Sequence, residues 1–357
     1  MALELKQVTK NVGADRHIYE TSLVFEPGGF NILLGATNAG KSTLIKLMAG
    51  LERPTSGEIW VDGQNVTGVN PQKRNIALVH QFFINYPHMT VYENIASPLR
   101  VAKVSDIDRR VREAADVLQL GPMLDRKPQE LSGGQQQRCA LARAIVKESK
   151  AIFLDEPLAN LDYKLREELR DQLPEILGER GTVVVYATSE PTEALMLGGH
   201  TALLHAGRVT QFGPTPEIYR APSDLTSARV FSDPPMNLAP VEKRGNEMHL
   251  AALSWPVEGS AAQLADGQYT VGIRPHHILP TKPVGASIQI DGTVEITELS
   301  GSESVAHFEL GAQSWVSLSP GTHPYRIGES HDFHMIPSAC YYFDGSGNLA
   351  GTGGAHG

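Results

Sequence analysis

The sequence predicts an α/β domain over residues 1–235, carrying a helical insert, followed by a small all-β barrel over residues 236–357. Three observations predict it. Short apolar runs alternate with helical patterns through the first two thirds of the chain, and a glycine-rich loop joins one of those runs to a helix. Beyond residue 240 the pattern and the charge change together: residues 1–240 hold 26 basic against 28 acidic side chains, while 241–357 hold 5 against 12.

In chain order, residues 30–34, 75–80, 151–154 and 182–187 are compact apolar segments of strand length, and unbroken apolar runs suit a parallel sheet covered on both faces. Residues 41–49 space Leu44, Ile45, Leu47 and Met48 as a helix and stop at Gly50. Residues 105–120 open with Ser105 and Asp108 in capping-box spacing and end at Gly121. Further helices are predicted over 132–148 and 163–177. In the latter, Pro174 lacks an amide proton and is expected to kink or end the helix. The helical insert covers about 84–146. Residues 202–205 and 208–212 flank Ala206-Gly207 as a hairpin, and prolines punctuate 214–240. The tail supplies short strand-like pieces at 270–273, 287–290, 292–299, 304–310 and 315–318, separated by turn residues, which reads as a small β-barrel.

Composition excludes several classes. With 31 basic and 40 acidic residues the chain is acidic, and an acidic surface repels phosphate backbones, so nucleic acid is not an expected partner. Cys139 and Cys340 cannot build a disulfide framework, and a reducing compartment is expected. The longest stretch free of Asp, Glu, Lys and Arg, residues 75–92, contains His80, Gln81, Asn85, Pro87 and His88, all of which a bilayer span would have to desolvate. Met1 to Lys6 lack the basic start and apolar run of a signal peptide, so export is not expected. Eight of 13 histidines follow residue 240; strand spacing turns neighbours to opposite faces, so they read as barrel-surface residues. Arg109, Arg110 and Arg112 interleave with Asp106, Asp108 and Glu113, the pattern of a solvated helix face.

Three motifs carry chemistry. Gly35-Ala36-Thr37-Asn38-Ala39-Gly40-Lys41-Ser42-Thr43 has two glycines separated by four residues and followed by Lys and Ser, between a strand and a helix. Loop amides and the helix N-terminus converge there on anionic phosphates, Lys41 reaches the β and γ groups, and Ser42 offers a ligand to Mg2+. Residues 151–157, Ala-Ile-Phe-Leu-Asp155-Glu156-Pro157, deliver two carboxylates to the carboxyl end of an apolar strand, where α/β sheets bind ligands. Asp155 is expected in the Mg2+ shell, and Glu156 is expected to orient or deprotonate the attacking water, because phosphoryl transfer needs mainly positioning and charge neutralisation. Third, Leu131-Ser132-Gly133-Gly134-Gln135-Gln136-Gln137-Arg138 opens a helix with two glycines that permit close backbone approach, a second anion-facing helix start.

With these residues in place the chain resembles the ATPase subunits of ATP-binding-cassette (ABC) transporters nearly end to end, with Leu131 to Gln135 as the family's signature motif. More narrowly it is similar to carbohydrate-importer ATPases of the maltose and glycerol-3-phosphate type. That likeness rests on Tyr86-Pro-His-Met-Thr-Val-Tyr-Glu-Asn94, on Glu156-Pro-Leu-Ala-Asn-Leu-Asp162 and on Gly272-Ile-Arg-Pro275-His276. The resemblance implies ATP and Mg2+ as cofactors and an oligonucleotide-binding-like barrel used for regulation. It implies that Gln81 touches Mg2+ and the nucleophilic water, and that Asn160 to Asp162 cross a dimer interface. It implies that the segment around residues 82–91 meets a membrane subunit. A head-to-tail dimer would sandwich each ATP between the phosphate loop of one chain and the Ser132 to Gln135 motif of the other. Two permease subunits, an extracytoplasmic substrate-binding protein and a place at the cytoplasmic face of the bacterial inner membrane follow from the same likeness.

Two residues depart from the family. Where it has a switch histidine contacting the γ-phosphate, this chain has Ser189, whose short uncharged hydroxyl cannot reproduce the reach of imidazole. Where it stacks an aromatic ring on adenine, this chain has Val12, with Tyr19 or His17 as nearby substitutes. Asn38 also replaces a common loop glycine. All three belong to the site built on this chain's own Lys41, whereas the signature motif that serves a partner's site is intact. The asymmetry suggests a heterodimer with an unlike ATPase subunit, as in the paired ATPases of bacterial glycerol importers. Two readings stay open: an energising ATPase for uptake of a small polyol or sugar, and a nucleotide-binding regulatory subunit with little hydrolysis of its own.

Overall fold

The computed structural model describes residues 2–82, 84–159, 161–178, 181–311 and 313–354. They form two compact units, Met1–Pro216 and Glu217–Gly357. Among the described residues no helix is long and apolar enough to cross a membrane.

In the first unit the elements run β1 (Leu3–Val12), β2 (Asp15–Phe25), β3 (Phe30–Leu34), α1 (Lys41–Ala49), β4 (Ser56–Val61), β5 (Gln64–Asn65), β6 (Ile76–Val79), α2 (Val91–Val101), α3 (Ile107–Val117), α4 (Gly133–Ile145), β7 (Ala151–Asp155), α5 (Tyr163–Gly178), β8 (Val183–Thr188), α6 (Pro191–Leu197), β9 (His200–His205) and β10 (Arg208–Pro214). The larger sheet has the order β10-β9-β3-β8-β7-β6, parallel throughout except for the β9–β10 hairpin. Every residue of β3, β7 and β8 is buried, which is why these strands read as unbroken apolar runs. A second, antiparallel sheet, β2-β1-β4-β5, was not expected from the sequence. Register shifts along β1 at Leu5/Val8, Val8/Lys10 and Lys10/Asn11 break the two-residue alternation that would have announced it. Both sheets share one core, in which Leu44, Ile45 and Met48 of α1 pack with Phe153, Val185 and Leu5.

One helix expectation needs correction. The Ser105–Asp108 box does not form: Asp106 occupies the N-cap of α3 without a side-chain cap, while Asp108 pairs with Arg112 at 2.9 Å and Asp106 with Arg109. Capping boxes close instead at Thr90 with Glu93 and at Ser132 with Gln135. Of the two outcomes expected of Pro174, a kink or an end, the helix does not end there: α5 continues to Gly178. A proline in a helix interior costs about 3 kcal/mol. Leu165, Leu169, Leu173 and Leu177 bury one stripe of this helix, and each contributes roughly 1.5–3 kcal/mol, so packing outweighs the lost hydrogen bond.

The second unit is a nearly closed, all-antiparallel β-barrel. Trp255, Trp315, Phe308 and Phe333 fill it; the last two rings stack at 4.0 Å, and Trp255 Nε1 donates to Tyr342 Oη at 2.9 Å. Gly292 is required there, since a Cβ would come within 2.2 Å of the Phe308 ring. Arg274, only 2% exposed, lies over the Tyr219 ring at 3.8 Å and donates to Tyr341 Oη at 2.6 Å, so the Gly272-Ile-Arg274-Pro275 motif locks this unit internally. Cys139 and Cys340 are both buried free thiols whose ionisation burial pushes up to about 12.

Candidate active site

The buried strand β3 delivers Gly35 to the carboxyl edge of the larger sheet. Its amide donates to Thr188 O at 3.3 Å, and a Cβ there would sit 2.4 Å from Leu204 O, so only glycine lets the loop leave the strand. Gly40, at φ 110°, is the N-cap of α1 and provides no side-chain cap. The first-turn amides of the helix are thereby left to an anion. Asn38 takes the left-handed conformation at φ 66°, which asparagine tolerates better than most residues, and is exposed, while Ala39 is buried. Thr43 is half-buried in the first turn of α1.

Lys41 is 4% exposed; its ammonium donates to Gly35 O at 2.6 Å and Ala36 O at 3.1 Å and lies 3.3 Å from Glu156 Oε1. Ser42 Oγ donates to Asp155 Oδ1 at 3.0 Å, and Gln81 Nε2 donates to Glu156 Oε2 at 3.1 Å. Five residues of the sequence reading, from three separate segments, therefore meet in one constellation. Glu156 holds φ 48°, an uncommon backbone conformation of the kind that concentrates at functional sites. The oxygen donors of Ser42 and Asp155, with the Gln81 carboxamide oxygen, are the hard ligand set that Mg2+ takes, and they stand at the carboxyl end of β7.

Burial pushes the Asp155 carboxyl above the usual carboxylate range, against the pull of the Ser42 hydrogen bond. A carboxyl whose folded value is raised favours folding only while protonated, so its stability contribution falls as pH rises through the ordinary range to the raised value. Asp155→Asn is expected to raise the melting temperature at neutral pH without nucleotide or metal, by about 2–4 °C per kcal/mol for a domain of this size. In calorimetry the difference from wild type should shrink as pH is lowered below the ordinary carboxylate range. A variant that melts lower at neutral pH would contradict this.

Other candidates lie apart from the constellation. Ser132 caps α4, its hydroxyl accepting from Gln135 N at 3.3 Å while Gln135 Oε1 accepts from Ser132 N at 3.0 Å. Gly133 and Gly134 open the helix inside that box. Asp162 caps α5, accepting from Leu165 N at 3.1 Å; Asn160 lies outside the described residues. Val12 ends β1 and is 48% exposed. Of its two substitutes, His17 is exposed, and Tyr19 has one ring face covered by the Arg208 guanidinium at 3.5 Å. Ser189 follows β8 and is exposed.

The sequence reading missed Gln137, Arg166 and Glu193. Gln137, 1% exposed, donates from α4 to Pro157 O at 2.5 Å and Glu156 O at 3.4 Å, tying the signature helix to the acidic turn. Three consecutive glutamines gave no sign of which one is buried. Glu193, 4% exposed, accepts from Tyr186 Oη at 2.9 Å and Thr188 Oγ1 at 2.6 Å. Its only sequence signal was an acidic residue on the buried face of a short helix.

A phosphate loop, a buried aspartate joined to its serine and an adjacent glutamate held by lysine and glutamine define a P-loop nucleotide-binding ATPase. The model for the ABC transporter family matches residues 18–159, and that for the TOBE domain matches residues 271–343. The chain is 40% identical over 311 residues, 87% of each chain, to "sn-glycerol-3-phosphate import ATP-binding protein UgpC 3" of Rhizobium etli. It is 37% identical to the UgpC protein of Yersinia enterocolitica, over 97% of this chain and 98% of that one. Among solved structures, the dimeric post-hydrolysis ATP-binding cassette MJ0796 bound to ADP and Pi matches with a TM-score of 0.55 at 29% identity, covering 60% of this chain and 98% of that one. The chain belongs to the ABC transporter ATPases, of the carbohydrate-importer type. It is an ATP-binding subunit whose hydrolysis is coupled to transport.

Proposed function

We propose that this chain energises uptake of a small polyol or sugar, glycerol being the leading candidate, as one half of an asymmetric ATPase pair at the cytoplasmic face of a bacterial inner membrane. The observation that carries the reading is the junction of Lys41, Ser42, Gln81, Asp155 and Glu156. Residues 1–235, with the helical part at about 84–146, serve nucleotide chemistry, and residues 236–357 serve regulation.

Lys41 and the first-turn amides of α1 bind the β and γ phosphates, with Gly35, Asn38, Ala39, Gly40 and Thr43 shaping the loop. Ser42, Asp155 and Gln81 would hold Mg2+, which would supply charge neutralisation at the phosphates when bound with ATP. Glu156 orients or deprotonates the attacking water, and Gln81 fixes the Glu156 carboxylate. Ser189 stands in the switch position and Val12 at the adenine. Ser132, Gly133, Gly134 and Gln135, with Asp162, act on nucleotide across the dimer interface.

Two permease subunits and, through them, an extracytoplasmic substrate-binding protein complete the assembly. A groove of about 1020 Å³ supports permease docking: its lining includes Tyr86, Met89, Pro98, Arg100, Arg143 and Lys147. Beside it Phe82 and Ile84, 76% and 60% exposed, continue the segment that leaves Gln81. Phe83 lies outside the described residues. Support for the substrate class comes from relatives named for sn-glycerol-3-phosphate import. Ser189 and Val12, lacking imidazole and ring, favour a second reading, a regulatory subunit that binds nucleotide and hydrolyses little.

Deleting this chain's gene and following labelled glycerol and labelled sn-glycerol-3-phosphate tests the substrate class. Uptake of one of the two should fall to background and return with the wild-type gene. Unchanged uptake of both would exclude the polyol assignment.

A further inference from the structure

Arg166 lies in the first turn of α5, at the end of the loop that leaves Glu156. One arm, Nη1, donates to Glu190 Oε1 at 2.8 Å; the other, Nη2, donates to Ala159 O at 3.1 Å. Ala159 follows Glu156 by three residues, and Glu190 follows Ser189 directly. We propose that Arg166 is a positioning residue that fixes the loop carrying Glu156 to the turn carrying Ser189. The proposal deepens the site reading given above and rests on it.

Both segments leave neighbouring paired strands, β7 and β8, and are anchored there, so a link beyond those anchors sets the geometry of the gap. On the turn, Thr188 Oγ1 accepts from Glu190 N at 3.0 Å and donates to the buried Glu193, which also receives the Tyr186 hydroxyl. On the loop, Glu156 N donates to Ala187 O at 3.0 Å, and Gln137 holds the Pro157 carbonyl. Between these anchors, among the described residues, the Arg166 side chain reaches a loop carbonyl and a turn carboxylate together. The planar fork of arginine serves two acceptors in different directions, which a lysine ammonium on a flexible stem does only one at a time. An ion pair this exposed, 24% and 46% at its two side chains, contributes roughly 0–1 kcal/mol to stability, too little to account for the arrangement as a fold-stabilising contact.

Amide hydrogen exchange on the full-length chain tests the link. Arg166→Met, which keeps the stem and removes the fork, should raise exchange about tenfold in both segments, at Leu158, Ala159 and Leu161 and at Ser189 and Glu190. Arg166→Lys should restore one segment and not both. Glu190→Gln leaves α5 intact and should loosen the loop as well as the turn, so the test survives if Arg166→Met folds poorly. In the importer purified with its membrane subunits, Arg166→Met should lower kcat by about as much as Glu156→Gln in this chain does, with KM for ATP within about twofold. Exchange rising on one side only, full rescue by lysine, or a KM effect without a kcat effect would overturn the proposal. Binding of MgATP by Lys41→Ala, measured in parallel, reports on the site reading separately.

Discussion

Lys41→Ala is expected to lower the affinity of the purified chain for MgATP by about a hundredfold or more, read by calorimetric titration. Truncating one partner of a desolvated charge pair costs roughly 2–5 kcal/mol, and about 2.7 kcal/mol is a hundredfold in Kd. Lys41 meets the condition of desolvation, being 4% exposed, and its ammonium is the only side-chain cation in the loop from Gly35 to Thr43. It lies beside the carbonyls of Gly35 and Ala36 and the Glu156 carboxylate, at the mouth of the uncapped helix α1. Removing it also leaves Glu156 facing the phosphates with Gln81 alone, so repulsion adds to the lost attraction. The fold should survive, because the core formed by Leu44, Ile45 and Met48 on the same helix is untouched, and far-UV circular dichroism verifies that. Lys41→Arg keeps the charge yet places a larger fork in a buried slot, and should fall between the two. Unchanged affinity in Lys41→Ala would remove the phosphate-loop assignment.

How much of this was legible in the sequence depends on whether a residue acts through local pattern or through distant contact. The parallel strands were legible because burial on both faces makes them uniformly apolar, as in β7 and β8. The phosphate loop was legible because glycine spacing is itself the backbone requirement: Gly35 abuts Leu204 O, and Gly40 sits at φ 110°. β1 and β2 were not, because their bulged pairing destroys the alternation. The Ser105–Asp108 spacing misled for a related reason: Asp108 found a stronger partner in Arg112 than in a backbone amide. Gln137 was invisible because its acceptors, Pro157 O and Glu156 O, are main-chain atoms that any residue would supply, and so is one of the two Arg166 acceptors, Ala159 O, while the other, Glu190, is distant in sequence. Such contacts leave no trace in residue identity.

The second large effect concerns which of two composite sites turns over. Gly134→Phe in this chain is expected to abolish hydrolysis by the assembled importer, while Glu156→Gln here should lower transport less than the equivalent change in the partner ATPase. The reasoning starts from which chain owns which part. On the proposed reading, Lys41, Glu156 and Ser189 serve this chain's own nucleotide, and a hydroxyl in the proposed switch position in place of an imidazole is a loss expected at one to a few kcal/mol of barrier, or roughly 10–100-fold or more in rate. A site already slowed at that step has less to lose when Glu156 becomes neutral. Ser132 to Gln135, in contrast, close a complete capping box and open α4 with two glycines, so the surface offered to the partner's nucleotide is intact. Loss of a helix cap alone costs about 1 kcal/mol, so Ser132→Ala gives the purely structural control: mild destabilisation with hydrolysis largely kept. A bulky ring at Gly134, one residue inside the box, blocks close backbone approach instead, and its effect on turnover should far exceed its effect on melting temperature. On the proposed dimer, closure that draws on both nucleotides predicts that Lys41→Ala here harms transport more than Glu156→Gln does, which separates binding from hydrolysis. Reconstituted transport with each subunit altered in turn measures all four outcomes. Equal loss from Glu156→Gln in either subunit, or full activity of this chain as a homodimer, would mean that Ser189 is a tolerated substitution and that the two sites are equivalent.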